Sequence, residues 1–350
     1  MDKKSAIYVA GHEGLVGSAI VRLLKREGYE NLLLASRQDL DLTDQGAVED
    51  FFSRTRPEYV FLAAAKVGGI WANSTQPARF IGDNLLIQTH AIDAAWRHKV
   101  KRFLFLGSSC IYPRLCPQPM KEEHLLTGPL EPTNEWYAVA KIAGITMCRG
   151  YRKQYGFDAV CAMPTNLYGP NDNFDLATSH LPPALLRKFH LARLAQAGDR
   201  AGMARDEDVF GPIPEDLRSD LDVILRAGAG ARPAVRLWGD GTPRREFLHV
   251  DDLAHACLFL MNAERCPEIV NVGAGKDMSV LDFAELARTV VGLACDIVFD
   301  PSRPGGTPRK LLDVSVMENL GWRPRIGLLQ GLSETYQWYM GRSAGGPLPG

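Results

Sequence analysis

Three glycines stand at the head of the chain in the run Ala10-Gly11-His12-Glu13-Gly14-Leu15-Val16-Gly17. A short β-rich segment, residues 6–10, precedes them, and a helical period, residues 15–27, follows. A strand that turns directly into a helix can place a glycine at the tight turn. A second lets backbone approach a ligand, and a third lets helix and strand touch. The helix N-terminus then offers free N–H groups and the positive end of a dipole to a phosphate. A glycine triplet alone is a weak signal. At the end of the first strand of a βαβ unit it is a strong one.

The alternation continues through the first half of the chain. Strand patterns fall at residues 32–35, 59–63, 103–107 and 159–163, with helical periods at 47–54, 80–98 and 138–155. Strands alternating with helices of this length predict an α/β fold, a Rossmann-type doubly wound parallel sheet whose ligands lie at the carboxyl ends of its strands. Residues 1–165, with a returning segment near 240–265, are expected to form a dinucleotide-binding domain. Residues 166–340 are expected to form mainly a smaller C-terminal α/β substrate-binding lobe. There the pattern predicts helices at 182–197, 251–262, 280–291 and 328–340 and short strands at 235–238 and 269–272. Residues 196–233, rich in Gly, Ala, Arg and Asp, read as a long mobile surface excursion, helical only at 215–226. Residues 341–350 read as a disordered tail.

Composition removes several function classes. The 350 residues carry 40 basic and 41 acidic side chains, net charge -1, without the basic excess of a nucleic-acid binder. No apolar run approaches the ~18 residues of a membrane span. The segment after Lys3 and Lys4 is too short for a secretory signal. Seven scattered cysteines with no CxxC pair argue against a disulfide framework or a metal site and for a cytoplasmic location.

The second strand ends in Ser36-Arg37 rather than in an acidic residue, which favours the 2′-phosphate of NADP over the free ribose of NAD. Asp39 and Asp41 lie further on. Ala63, Ala64 and Ala65 after the third strand offer small-residue backbone to lie against a cofactor. Tyr137 and Lys141, spaced i and i+4, share one helix face. An ammonium there can lower the phenol pKa and let it exchange a proton with a carbonyl oxygen. Ser108, in Gly107-Ser108-Ser109-Cys110 at the end of the fourth strand, can donate to the same carbonyl.

On these runs the chain resembles the extended short-chain dehydrogenases/reductases, and within them the GDP-L-fucose synthases. Also similar are LAAAKVGGI at 62–70, LGSSCIYP at 106–113, LEPTNEWYAVAKIAG at 130–144, MPTNLYGP at 163–170, REFLHVDD at 245–252 and GTPRKLLD at 306–313. The resemblance implies NADPH-dependent epimerisation at C3 and C5 of a GDP-4-keto-6-deoxysugar, then reduction at C4. It makes Tyr137 the proton donor to O4, Lys141 its helper, Ser108 the third member of the triad, and Cys110 and His180 the base and acid of epimerisation. NADP(H) contacts are implied at Gly11, His12, Gly14, Leu15, Val16, Gly17, Arg37, Asp41, Leu42, Ala64, Leu106, Gly107, Ser108, Ser109, Tyr137, Lys141, Pro164, Thr165, Asn166, Leu167 and His180. Lys188, Trp238 and Arg245 are implied as contacts to the GDP-sugar, and a homodimer built on the long helices at 80–98 and 138–155 is implied as the assembly.

Three features depart from the pattern. Glu13 stands where some relatives have arginine, so NADP preference rests on Arg37. Gly305 replaces an acidic substrate contact. The 196–233 segment is longer than in compact relatives. Three other readings remain open: a related isomerase (an NAD-linked nucleotide-sugar epimerase or a 3,5-epimerase without net reduction), a sister GDP-deoxysugar enzyme making colitose or a heptose, and a non-catalytic NADP-binding protein.

Overall fold

The computed structural model describes residues 1–302 and 307–343, leaving aside the side chains of Ile70 and Trp71. Gly305 and residues 344–350 therefore lie outside the described residues. The central sheet has six parallel strands in the order Leu32–Leu33, Ile7–Ala10, Tyr59–Leu62, Arg102–Leu106, Ala159–Pro164 and Ile269–Val272. Its strands are buried on both faces because helices cover both sides. Alternate residues supply two cores. Tyr8, Val60, Phe103 and Phe105 face the helices Gln45–Thr55, Pro77–Arg97 and Glu135–Tyr155. Ile7, Val9, Phe61 and Leu104 face Leu15–Arg26 and Val250–Asn262. The order reverses between the first strand and the third, and the carboxyl ends of that pair form the crevice where doubly wound sheets bind ligands.

The sixth strand, Ile269–Val272, pairs with Ala159–Pro164, so the chain's return to the first domain runs past residue 265. The second lobe holds a four-stranded sheet of Asn166–Tyr168, Arg244–His249, Asp277–Ser279 and Arg309–Lys310. Beside it Ala234–Trp238 pairs with Asp296–Asp300. A third core fills this lobe, with Phe189, Leu221, Phe283 and Tyr339 at its centre.

The 196–233 segment departs most from the sequence reading. It forms two helices, Arg200–Phe210 and Glu215–Ala227, and feeds Met203, Leu217, Leu221 and Ile224 into that core. A buried ion pair fastens it. Arg187 Nε donates to Asp206 at 2.8 Å, and its other nitrogens donate to the carbonyls of Phe174 at 3.0 Å, Phe210 at 2.8 Å and Gly211 at 2.5 Å. The Tyr339 hydroxyl donates to the second Asp206 oxygen. Burying a guanidinium is costly unless every donor is met, and here a carboxylate and three carbonyls meet it. The excursion is thus an integral part of the lobe. The terminal helix also runs on to Ser343, beyond the expected stop at 340.

Candidate active site

Gly11 has φ +77°, a conformation that suits glycine, and a Cβ on it would lie 2.8 Å from the backbone of Ala64. A Cβ on Gly17 would lie 2.0 Å from the Gly11 carbonyl oxygen. Both glycines are therefore required by packing between the first helix and the ends of the first and third strands. Gly14 is different: its Cβ would meet only the Gly11 oxygen, at an ordinary 3.5 Å. The fold does not need glycine there, but a ligand approaching the backbone would. Gly14 also starts a helix with no side-chain cap, and the buried His12 Nδ1 has no hydrogen-bond partner. Uncapped N–H groups, an open glycine and an orphaned ring nitrogen fit a diphosphate. Leu15 and Val16 stand in the first turn of that helix and pack on the core below.

Arg37 is exposed near Asp41, without a hydrogen bond or ion pair among the described residues. Asp39 accepts from Ser36 Oγ at 2.7 Å through one carboxylate oxygen, and Asp41 accepts from Thr43 through one of its own. Leu42 is buried, its carbonyl 3.1 Å from His90 Nδ1, and it stands behind this edge as packing. Glu13 is exposed.

The fourth strand ends at Leu106. Gly107 follows, where a Cβ would lie 2.3 Å from Met163 Sδ and would have to displace the end of that side chain. Ser108 then caps the short turn Ser109–Ile111, its Oγ accepting from the Cys110 backbone N–H at 3.3 Å. Lys141 is buried and donates to the Leu106 carbonyl at 2.8 Å, with Nζ 5.7 Å from the Tyr137 ring centre. Helix and strand end are so joined through one ammonium. Burial pulls Lys141 down to about 8, while Cys110 and Cys161 oppose the shift. The phenol does not behave as the spacing suggests. Burial pushes Tyr137 far above its ordinary value, with Cys110 adding to the shift. The desolvation cost of a phenolate outweighs a lysine whose nearest partner is a carbonyl. Tyr137 therefore holds its proton, as a proton donor must.

Cys110 is buried, and burial raises its thiol; Lys310, a Ser108 hydrogen bond and Lys141 pull it back. His180 caps the helix Leu181–Gln196, crowded by protein yet reached by solvent. Burial and then Lys310 lower its pKa, so its protonated form is a stronger acid than a free imidazolium. Lys310 is the residue that sequence reasoning missed. It lies in a run that carries the resemblance, but no local pattern gave it a role. The structure brings it within electrostatic reach of both Cys110 and His180, by pairing Arg309–Lys310 with Arg244–Arg245. Pro164 ends the fifth strand and Thr165 follows. Asn166 and Leu167 begin the strand beside Arg244–His249, and Asn166 Nδ2 donates to the Glu246 carbonyl at 2.8 Å.

Lys188 lies two turns along the helix that His180 caps, its Nζ 5.9 Å from the Trp238 ring centre. Burial lowers its pKa, with Asp216 and Asp220 of the inserted helix opposing. Burial also disfavours the charge on Arg245, with Glu131 supporting it. The structure thus brings Tyr137, Lys141, Ser108, Cys110, His180 and Lys310 into one electrostatic group. Lys188 and Trp238 form a second, and Arg245 on its strand connects to the first through Lys310.

The sequence profile of the NAD dependent epimerase/dehydratase family matches residues 7–206 and 192–273. The chain is 51% identical over 339 residues to GDP-L-fucose synthase 1 of Arabidopsis thaliana, covering 97% of this chain and 94% of that protein. It is 46% identical to the GDP-L-fucose synthase of Escherichia coli, covering 96% and 97%. A solved GDP-D-glycero-L-gluco-heptose synthase from Campylobacter jejuni, crystallised in the presence of NADPH, is 38% identical with TM-score 0.82, covering 97% and 99%.

The two glycine roles separate experimentally. Gly14→Ala is expected to keep the thermal midpoint within about 2 °C and to weaken NADPH binding about tenfold or more by calorimetry, since only backbone access to a phosphate is lost. Gly17→Ala is expected to lower the midpoint by several times as much. Equal midpoints for the two variants contradict the assignment.

Proposed function

The chain belongs to the NAD dependent epimerase/dehydratase family, and within it we propose that this protein converts GDP-4-dehydro-6-deoxy-α-D-mannose to GDP-L-fucose with NADPH, acting as both isomerase and oxidoreductase. The observation that carries the reading is the 46–51% identity, over nearly the whole chain, to GDP-L-fucose synthases, and the fold sets Cys110 and His180 beside Tyr137 and Lys310. A plain ketone reductase needs Tyr137, Lys141 and Ser108. It has no need of two further proton carriers tuned by one ammonium.

The chemistry follows from the 4-keto group, which acidifies the hydrogens on C3 and C5. Cys110 takes one as the base, helped by Lys310, Ser108 and Lys141, which favour the thiolate. Tyr137 donates a hydrogen bond to the enolate oxygen that forms. His180, entering from the other lobe, returns a proton to carbon, and its lowered pKa makes the imidazolium a willing donor. The carbon centre is inverted, the thiol is protonated and the imidazole is neutral. Exchange with solvent resets both for the second centre. NADPH, when bound, supplies the hydride for C4. Tyr137 gives its proton to O4, and the Lys141 ammonium stabilises the tyrosinate left behind. The Gly11–Gly17 turn and the helix it opens hold the cofactor diphosphate, and Arg37 its 2′-phosphate. Lys188 and Arg245 meet the substrate diphosphate, and Trp238 offers a ring face to base or sugar.

The same machinery fits a GDP-heptose, as the Campylobacter relative's name indicates for that protein. Identity of 46–51% to fucose synthases against 38% to the heptose synthase favours the deoxyhexose. The enzyme works in the cytoplasm, a reading supported by seven cysteines that are all free. It forms a homodimer through Pro77–Arg97 and Glu135–Tyr155, two helices that pack together and leave Leu86, Trp136, Val139 and Tyr155 exposed.

Tyr137→Phe is expected to lower reduction about 100-fold or more. Cys110→Ser is expected to slow deuterium entry at C3 and C5 by a similar factor, with NADPH affinity unchanged. Exchange at the wild-type rate in Cys110→Ser removes the thiol from the base role. Val139→Arg is expected to halve the mass in sedimentation equilibrium; a monomeric wild type refutes the helix interface.

A further inference from the structure

Glu131 is a carboxylate that the reaction above does not use. It is only 9% exposed, although it lies in the loop before the Tyr137 helix. Its Oε1 accepts from the Thr133 backbone at 3.4 Å and from Thr133 Oγ1 at 3.2 Å. Its Oε2 accepts from Thr307 Oγ1 at 3.4 Å and lies 3.3 Å from Arg114 Nε. Its own carbonyl accepts from Asn134 N–H at 3.1 Å, and Asn134 is the cap from which the helix starts.

The pairing pattern next to it is informative. Strand Arg309–Lys310 lies parallel to Arg244–His249, placing Arg309 beside Arg244 and Lys310 beside Arg245. The outer two cations have their own carboxylate: Asp277 accepts from Arg244 at 3.0 Å and from Arg309. The inner two do not share it. Arg245 has Glu131 within electrostatic reach, and Lys310 has Glu246. Glu246 in turn accepts from the backbone of Leu312 at 3.0 Å and Gly275 at 2.7 Å, which fixes the far end of the Lys310 segment. Thr307 fixes the near end, and it does so on Glu131.

From these contacts we infer that Glu131 is a positioning residue for the nucleotide diphosphate. It holds the Thr307 end of the Arg309–Lys310 segment beside the start of the Tyr137 helix, and the register of that segment against Arg244–Arg245 carries the placement to Arg245. Arg114 is half exposed, so its pairing is screened and gives little reason to bury a carboxylate. Three chain segments meeting on one carboxylate give a reason: a cation placed in advance loses less freedom when the anion arrives. The inference rests on the GDP-sugar reading, in which Arg245 meets the substrate diphosphate.

The test uses GDP and NADPH as separate probes in calorimetry on the whole protein. Wild-type turnover of the GDP-keto-sugar comes first, and its failure removes the functional reading itself. With turnover established, Glu131→Gln is expected to weaken GDP about tenfold, the scale of one hydrogen bond to a charged group. NADPH affinity and the thermal midpoint are expected to stay at wild-type values. Thr307→Val, which removes one contact and leaves the carboxylate, is expected to weaken GDP two- to threefold and carries the test alone if Glu131→Gln does not fold. Wild-type GDP affinity in the folded variants overturns the inference. So does a loss of GDP and NADPH affinity in equal measure, which marks a purely structural role.

Discussion

Two ammonium groups, Lys141 and Lys310, enter the protein from distant parts of the chain, and burial lowers the pKa of both. Each is held by architecture: Lys141 by the carbonyl at the end of the fourth strand, Lys310 by a two-residue strand beside Arg244–His249. Around them stand the titratable groups that the proposed reaction uses as proton carriers. The thiol of Cys110 feels both, His180 feels Lys310, and Tyr137 keeps its proton by burial. Desolvation alone would leave Cys110 an inert thiol. The fixed positive charges of Lys310 and Lys141 oppose that in part, while burial still holds the thiol above its ordinary value.

The fold delivers these groups from two lobes. The parallel sheet ends at Gly11, Ala64, Gly107 and Pro164, and the close approach of Gly11 to Ala64 sets the crevice between the first and third strands. The second lobe contributes His180, Lys188, Trp238 and Arg245 from elements packed on the core around Phe189 and Phe283. Arg187, next to Lys188, locks that helix through Asp206 and so ties the inserted helices to the helix that carries Lys188.

Much of this was legible in the sequence where the signal is local. The glycine turn, the strand–helix alternation and the Tyr137–Lys141 spacing are short-range patterns, and each element stands within a few residues of its expected place. The 196–233 segment misled because its composition is polar and its apolar spacing sparse. Leu217, Leu221 and Ile224 lie at helical spacing, but Arg187 and Asp206 read as surface charges until their mutual burial is seen. Arg244–His249 carries Arg-Arg-Glu at its start, which hides a strand whose last four residues are buried. Lys310 acquires meaning through Cys110 and His180, and Glu131 through Thr307, each more than 100 residues away, and no period or motif encodes that.

The claim on which everything turns is that one ketone-binding pocket first makes neighbouring C–H bonds labile and then reduces the carbonyl. NMR of the product formed from GDP-4-keto-6-deoxymannose and NADPH in deuterated water reads both halves together. The expected product is GDP-L-fucose with deuterium at C3 and C5 and one NADPH consumed per sugar. A D-configured 6-deoxysugar, reduced at C4 with protium retained at C3 and C5, contradicts it.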